Sequence, residues 1–142
     1  MRHLVLLLLC LPCYSQTISP IIQECGRKCS HEVILSNNSL TPMVAIISAY
    51  SFTVVDRRPQ LRKLDEGVNV QLSEQSAKIR PKDSHSFDYK ITCLKLPCSV
   101  AIYATMSTGK PNSEGIVLKL ALPHMVYICE KEKDCRKTIL GE

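Results

Sequence analysis

Apolar and polar side chains alternate with a period of two through most of this chain, and that pattern narrows the fold more than any other feature. Successive side chains of a β-strand point to opposite faces, so each such run makes one apolar and one polar face. Residues 85–93 place Phe87, Tyr89, Ile91 and Cys93 together, and residues 68–72 do the same with Val68, Val70 and Leu72. From Val44 the even positions Val44, Ile46, Ser48, Tyr50, Phe52 and Val54 are bulkier than Ala45, Ala49, Ser51 and Thr53. Size therefore makes the even face the inward one, with Tyr50 and Phe52 in the core and a bend at Ser48. Further runs cover residues 31–36, 99–106, 115–122 and 124–129, with a short basic run at 78–80.

Turn residues separate these runs: Asn37-Asn38, Arg58-Pro59, Glu66-Gly67, Pro81-Lys82-Asp83, Ser107-Thr108-Gly109, Pro111-Asn112 and Pro123. Short strands punctuated in this way predict an all-β, antiparallel two-layer β-sandwich of the immunoglobulin/fibronectin-like kind. No amphipathic helix of three turns can be drawn after residue 31. Before it, Ser19 as N-cap, Pro20 at the first helical position and Gly26 as a stop would suit a turn or two of helix, and an extended lead-in suits the same residues.

Met1-Arg2-His3 followed by an apolar run to Leu11 reads as a secretory signal peptide, with Pro12, Cys13 and Ser15 leading to cleavage before Gln16. The apolar run is shorter than the ~20 residues that cross a bilayer, so no transmembrane segment is expected and the protein is expected to be secreted and extracellular. The division is 1–15 signal peptide, 16–30 lead-in, 31–129 sandwich and 130–142 charged tail. Cys10 and Cys13 leave with the leader, and Cys25, Cys29, Cys93, Cys98, Cys129 and Cys135 remain. An even number in an oxidising compartment implies disulfides. Cys93 closes one strand and Cys98 opens the next, which predicts a local staple. Cys25 and Cys29 would then pair with Cys129 and Cys135.

The same Cys-x3-Cys and Cys-x4-Cys spacings, completed by His31 or His124, would also suit zinc. The leader decides for oxidation, so neither a metal nor a cofactor is expected. Asp83, Ser84, His85 and Ser86 are triad residue types, but contiguous strand residues point alternately to opposite faces and cannot converge. No catalytic residue is assigned, and the chain is not expected to be an enzyme. Asn37-Asn38-Ser39 is an Asn-x-Ser acceptor in a predicted turn, so Asn37 is expected to carry a glycan. Loss of Arg2 trims a formal charge of +5 by one, and the chain has no tryptophan. Modest charge and few aromatic platforms argue against a nucleic-acid partner. The cations gather at Arg57, Arg58, Arg62 and Lys63 and at Lys78, Arg80 and Lys82. If the two groups meet they make a polyanion-binding stripe for sulfated glycosaminoglycan; otherwise they are a solvated loop and a charged edge strand.

Phe87-Asp88-Tyr89-Lys90-Ile91-Thr92-Cys93, with the alternating strand that ends at Cys129, resembles the prolactin-inducible protein family, small secreted glycoproteins with an immunoglobulin-like or fibronectin-like sandwich. The resemblance implies that sandwich and adds no function. The reading is a secreted binding protein, an extracellular ligand or modulator that meets an extracellular or cell-surface protein by surface contact. A membrane-active or lipid-interacting effector is the second reading. A protease inhibitor, with residues 57–63 as its exposed loop, is the third.

Overall fold

The computed structural model describes residues 16–108, 117, 119–131 and 133–141. The leader, the turn residues Gly109, Pro111 and Asn112, and most of the strand expected from 115 to its register at Lys119 lie outside the described residues. In chain order the elements are β1 (Thr17–Ser19), β2 (Ile22–Cys25), β3 (Cys29–Asn37), β4 (Met43–Val55), β5 (Arg58–Arg62), β6 (Val68–Leu72), β7 (Ser76–Ile79), β8 (Asp83–Cys93), β9 (Cys98–Ser107), β10 (Lys119–Ile128) and α1 (Cys135–Leu140). Sheet A has the order β1-β3-β8-β6, and sheet B the order β2-β10-β9-β4-β5 with β7 also on β4. Every pairing is antiparallel except that of β2 with β10. The all-β two-sheet sandwich is the expected one.

The inner faces follow the period of two. Val33, Leu35, Phe87, Tyr89 and Ile91 of sheet A pack on Ala45, Ile47, Val100, Ile102, Met106, Val126 and Ile128 of sheet B. Val68, Val70 and Leu72 of β6 join that core, as read. On β4 the structure reverses the expectation: Met43, Ala45 and Ile47 are the buried inward set, while Ile46 on the other face is 55% exposed. Tyr50 is half-buried on that outer face, and Phe52 is buried there in a second cluster with Ala101, Tyr127 and Cys135. The reason is register: β4 pairs with β9 so that Ala45 and Ile47 lie beside the inward Met106 and Ala104, and strand alternation then sends Tyr50 and Phe52 to the other face.

Residues 16–30 are not a helical turn, and they are not peripheral to the sheets. β1 pairs with β3 and β2 pairs with β10, so the chain switches sheets at Pro20. Arg58-Pro59 is not the turn either. The turn is Asp56-Arg57, whose φ values of 50° and 62° are the left-handed pair of a tight hairpin, and Pro59 sits in the edge strand β5. Pro123 does not break β10, because pairing with β2 starts only at Met125 and β10 has a bare edge at the proline.

One buried polar chain ties the switch point to both sheets. His124 on β10 is fully buried. Its Nδ1–H donates to the Pro20 carbonyl at 2.6 Å, which leaves Nε2 to accept from the Tyr89 hydroxyl on β8 at 2.9 Å. Desolvation lowers the His124 pKa, opposed by the bond to Pro20 and assisted by the nearby charge of His31. Burial pushes the Tyr89 hydroxyl up. His124 is thus neutral when folded and free to protonate when unfolded.

All three disulfides are local. Cys93–Cys98 is the expected staple, but Cys25 pairs with Cys29 and Cys129 with Cys135. The long closures between the two chain ends are not made, because each of these pairs already brackets a tight connection with Cα atoms 5.3 and 5.6 Å apart, inside the span a disulfide bridges. Peptide mapping without reduction should recover these three pairs and no free thiol.

Phe87→Ala removes a ring that is 1% exposed, and urea denaturation should show a loss of about 3–5 kcal/mol. A lowered folded pKa at His124 means that the unfolded chain binds more protons, so its stabilising contribution is complete above about pH 6.5 and declines as pH falls from there towards the folded value. The melting temperature should fall between pH 7.5 and 5, with a shallower fall in His124→Gln.

Candidate functional site

The outer face of sheet B is the surface that the fold does not use for its main core. Cross-strand partners share a face, so its rows can be read from the register. Ile46 lies beside Thr105 and Ala121, Ser48 beside Tyr103 and Pro123, and Tyr50 beside Ala101, Met125 and Ile22. Tyr50 and Tyr103 meet edge to face with ring centroids 6.2 Å apart. Ile46 and Ile22 are exposed on this face, with the polar Ser48 and Thr105 among its rows.

One end of the face is covered from within. The Cys129–Cys135 bond turns the chain back after β10, and α1 lays Ile139 and Leu140 over Phe52, Tyr127 and Ala101. The tail from Glu130 onward is therefore charged on its outside but held by more than Cys135: Glu24 accepts from the Arg136 amide at 2.6 Å, and Arg27 pairs with Glu130 at 2.6 Å. Where α1, the β4–β5 hairpin and Ile21-Ile22 approach one another they wall a cleft of about 720 Å³, with Tyr103, Met125 and Tyr127 on its floor. The even face of β4 carried this signal in the sequence. Tyr103, Met125, Ile22 and Leu140 carried none, because their convergence depends on register between strands far apart in the chain.

The two groups of cations do not form one patch. Arg58 and Arg62 pair with Val55 and Ser51, on the core-side face of sheet B, while Lys78 pairs with Val44 on the outer face. They also lie at opposite ends of β4: Val44 to Ser51 is seven residues, or about 23 Å of strand. Arg62 is further held by Asp65 through Nε at 2.7 Å and Nη2 at 2.6 Å. That pair raises the Arg62 pKa and lowers that of Asp65, with each group's hydrogen bond to the other the largest cause. Lys63 is exposed beside it, Arg57 is in the hairpin turn, Arg80 follows β7, and the Lys82 ammonium donates to the Asn38 carbonyl at 2.6 Å. Residues 58–62 are a paired strand and not the free loop that an inhibitor would present.

Asn37 is corrected most sharply. It is 0% exposed, and its amide nitrogen donates to the carbonyls of Thr41 at 2.8 Å, Ile79 at 3.2 Å and Arg80 at 3.2 Å. Its Oδ1 accepts from the Ser39 hydroxyl at 2.6 Å. The nitrogen that a glycan would take is thus inside the fold, joining the β3–β4 connection to the end of β7. The sequon is explained by structure: Ser39 serves Asn37, and Asn37 donates to three backbone carbonyls, among them the buried one of Ile79.

Among the triad types, His85 meets Glu74 at 2.5 Å, Ser84 meets Ser36 at 2.9 Å, and Asp83 accepts from the Ser84 amide at 2.8 Å. Ser86 shares the Ser84 face of β8, away from His85. The four do not converge. The sulfurs of Cys25 and Cys29 and a ring nitrogen of His31 lie within 4.8 Å of one another, but both sulfurs are spent in their disulfide. His124, the other zinc candidate, is occupied by Pro20 and Tyr89.

Asn37→Ala would take this donor from the buried Ile79 carbonyl and should cost about 1–3 kcal/mol in urea denaturation. Chain secreted from a eukaryotic host should show no glycan at Asn37 by intact mass. On heparin, Arg62→Ala with Lys63→Ala should shift the eluting salt no more than Lys131→Ala with Lys133→Ala, since no single patch is lost.

No family model matches the chain, and no curated protein matches its sequence. Solved structures do match in fold. The chain is similar to the SSP-19 MSP-domain-like protein of Caenorhabditis elegans (TM-score 0.56, 10% identity, 80% of this chain and 98% of that one). It is similar to the ASH/PapD-like domain 7 of human CEP192 (TM-score 0.51, 13% identity, 93% and 96%). It is also similar to a chain of the CsuC-CsuE chaperone-tip adhesion subunit pre-assembly complex from archaic chaperone-usher Csu pili of Acinetobacter baumannii (TM-score 0.55, 17% identity, 82% and 57%). There it spans little more than half the length of the chain it matches. These are chaperone and MSP-type domains rather than enzymes. The sandwich is immunoglobulin-like, as the sequence resemblance implied, and its form is the PapD/MSP fold.

Proposed function

We propose that this is a secreted binding protein, an extracellular ligand or modulator that meets another protein through the outer face of sheet B. The observation that carries the reading is the exposed Ile46 and the half-buried Tyr50 on that face, beyond the Phe52 and Tyr127 that α1 covers. A flat sheet face with edge-to-face tyrosines offers rigid contact area at low entropic cost, which is what an interface centre needs. The leader read in residues 1–15 and the three disulfides support an extracellular setting. The Csu match, a structure of a chaperone with the subunit it accompanies, supports protein contact as the work of such a sandwich.

The test is affinity capture from extracellular fluid with the oxidised chain and with Ile46→Glu. Ile46 is exposed, so the substitution should change stability by no more than about 0.5 kcal/mol. It should abolish capture of the partner. A partner retained equally by Ile46→Glu would place the contact elsewhere and overturn the reading.

A further inference from the structure

The cleft beside α1 differs in kind from the flat rows next to it. It is concave, its volume of about 720 Å³ is in the range of small-ligand sites, and its walls come from three separate parts of the chain. Ile22, Val54, Met125, Ile139 and Leu140 surround the two tyrosines of the floor, and the lining as a whole is about half apolar and half polar. Against that lining stand two guanidinium groups, Arg57 from the β4–β5 hairpin and Arg136 from α1. Neither side chain has a hydrogen-bond or ion-pair partner among the described residues, although Arg27 and Arg62 nearby on the same molecule are both paired with carboxylates. Among the described residues, Asp56 is the acidic group in the lining, and the Glu24 carboxylate sits at its edge, accepting from the Arg136 amide rather than from either guanidinium.

We infer that this cleft binds a free single-chain anionic amphiphile, a long-chain carboxylate whose tail lies along Met125 and the aliphatic walls while its head meets Arg57 and Arg136. Each part of the lining has a role in that assignment. The aliphatic side chains suit an apolar tail and the two guanidinium groups an anionic head, in this mixed lining. A carboxylate is the planar acceptor that a guanidinium fork matches, and burying the tail drives binding roughly in proportion to the methylenes removed from water. Assembly of the walls also explains why the Cys129–Cys135 bond matters here, since it holds Arg136, Ile139 and Leu140 against the sheet. The inference goes beyond the protein-contact reading and does not depend on it, because it uses Arg57, Arg136 and Met125 where that reading uses Ile46.

Calorimetric titration of the oxidised chain with decanoate, decanol and decyltrimethylammonium, each below its micelle concentration, tests head and tail separately. Decanoate should bind at one site, with decanol at least about tenfold weaker and the cation not bound, as expected for charge-assisted contacts to the head. Methyl NMR should show Met125 shifting on decanoate addition. Arg57→Gln with Arg136→Gln should weaken decanoate by about tenfold and leave decanol unchanged. Equal binding of decanoate and decanol by the unaltered chain, a Met125 methyl that does not move, or sedimentation with anionic phospholipid vesicles without any binding of monomeric decanoate would each overturn the inference, the last in favour of a membrane surface. Loss of protein capture in Ile46→Glu bears on the other reading alone.

Discussion

Burial of two alternating faces against each other is the constraint on which the rest of the molecule depends. Sheet A supplies Val33, Leu35, Phe87, Tyr89 and Ile91, and sheet B answers with Ile47, Ile102, Met106 and Ile128 interleaved with Ala45, Ala104 and Val100. Interdigitation of the two sets fixes the spacing of the layers. Register with β9 places Ala45 and Ile47 of β4 inward, and its even residues go to the other side of the sheet. A one-residue slip would exchange the two faces completely, so the choice is all or nothing.

The outer face is a consequence of that choice. Phe52 needs cover there, and the Cys129–Cys135 bond brings α1 across to provide it. The helix is only six residues long and could not stand alone, so packing and the disulfide hold it in place. It reaches over part of the sheet. Ile46 remains exposed and Tyr50 half-buried, and the cleft forms over Tyr103 at the boundary of the covered surface. Core packing thus creates the candidate binding surface as directly as it creates stability.

Polar groups inside the sandwich follow the same logic of satisfaction. His124 and Tyr89 serve each other and the Pro20 carbonyl where β1 passes into β2, a point at which the chain leaves one ladder before joining the next. Asn37 serves three carbonyls where β3 and β7 end. Both residues sit where regular pairing stops. In each case a side chain replaces the missing backbone partner, which is why residue types that read from sequence as a zinc ligand and a glycan acceptor prove to be structural.

Local order was legible in the sequence because period two and turn chemistry act over a few residues. β6, β8 and β9, the inward positions Phe87, Tyr89 and Ile91, and the Cys93–Cys98 staple all follow from neighbours in the chain. What the sequence could not decide is anything that depends on a partner strand far away. The inward face of β4 depends on its register with β9, the strand character of β5 and the passage of β10 through Pro123 depend on which edges are open, and the burial of Asn37 depends on β7 arriving beside it. The cations of β5 and β7 look like one cluster in composition and lie on opposite faces in space, because strand parity and not sequence proximity sets the direction of a side chain. The sequence by itself determined that this chain makes short, half-buried strands joined by tight turns and closed by cysteines. Only the tertiary structure decided which face of each strand is the surface, because that is settled by its register with strands far away in the chain.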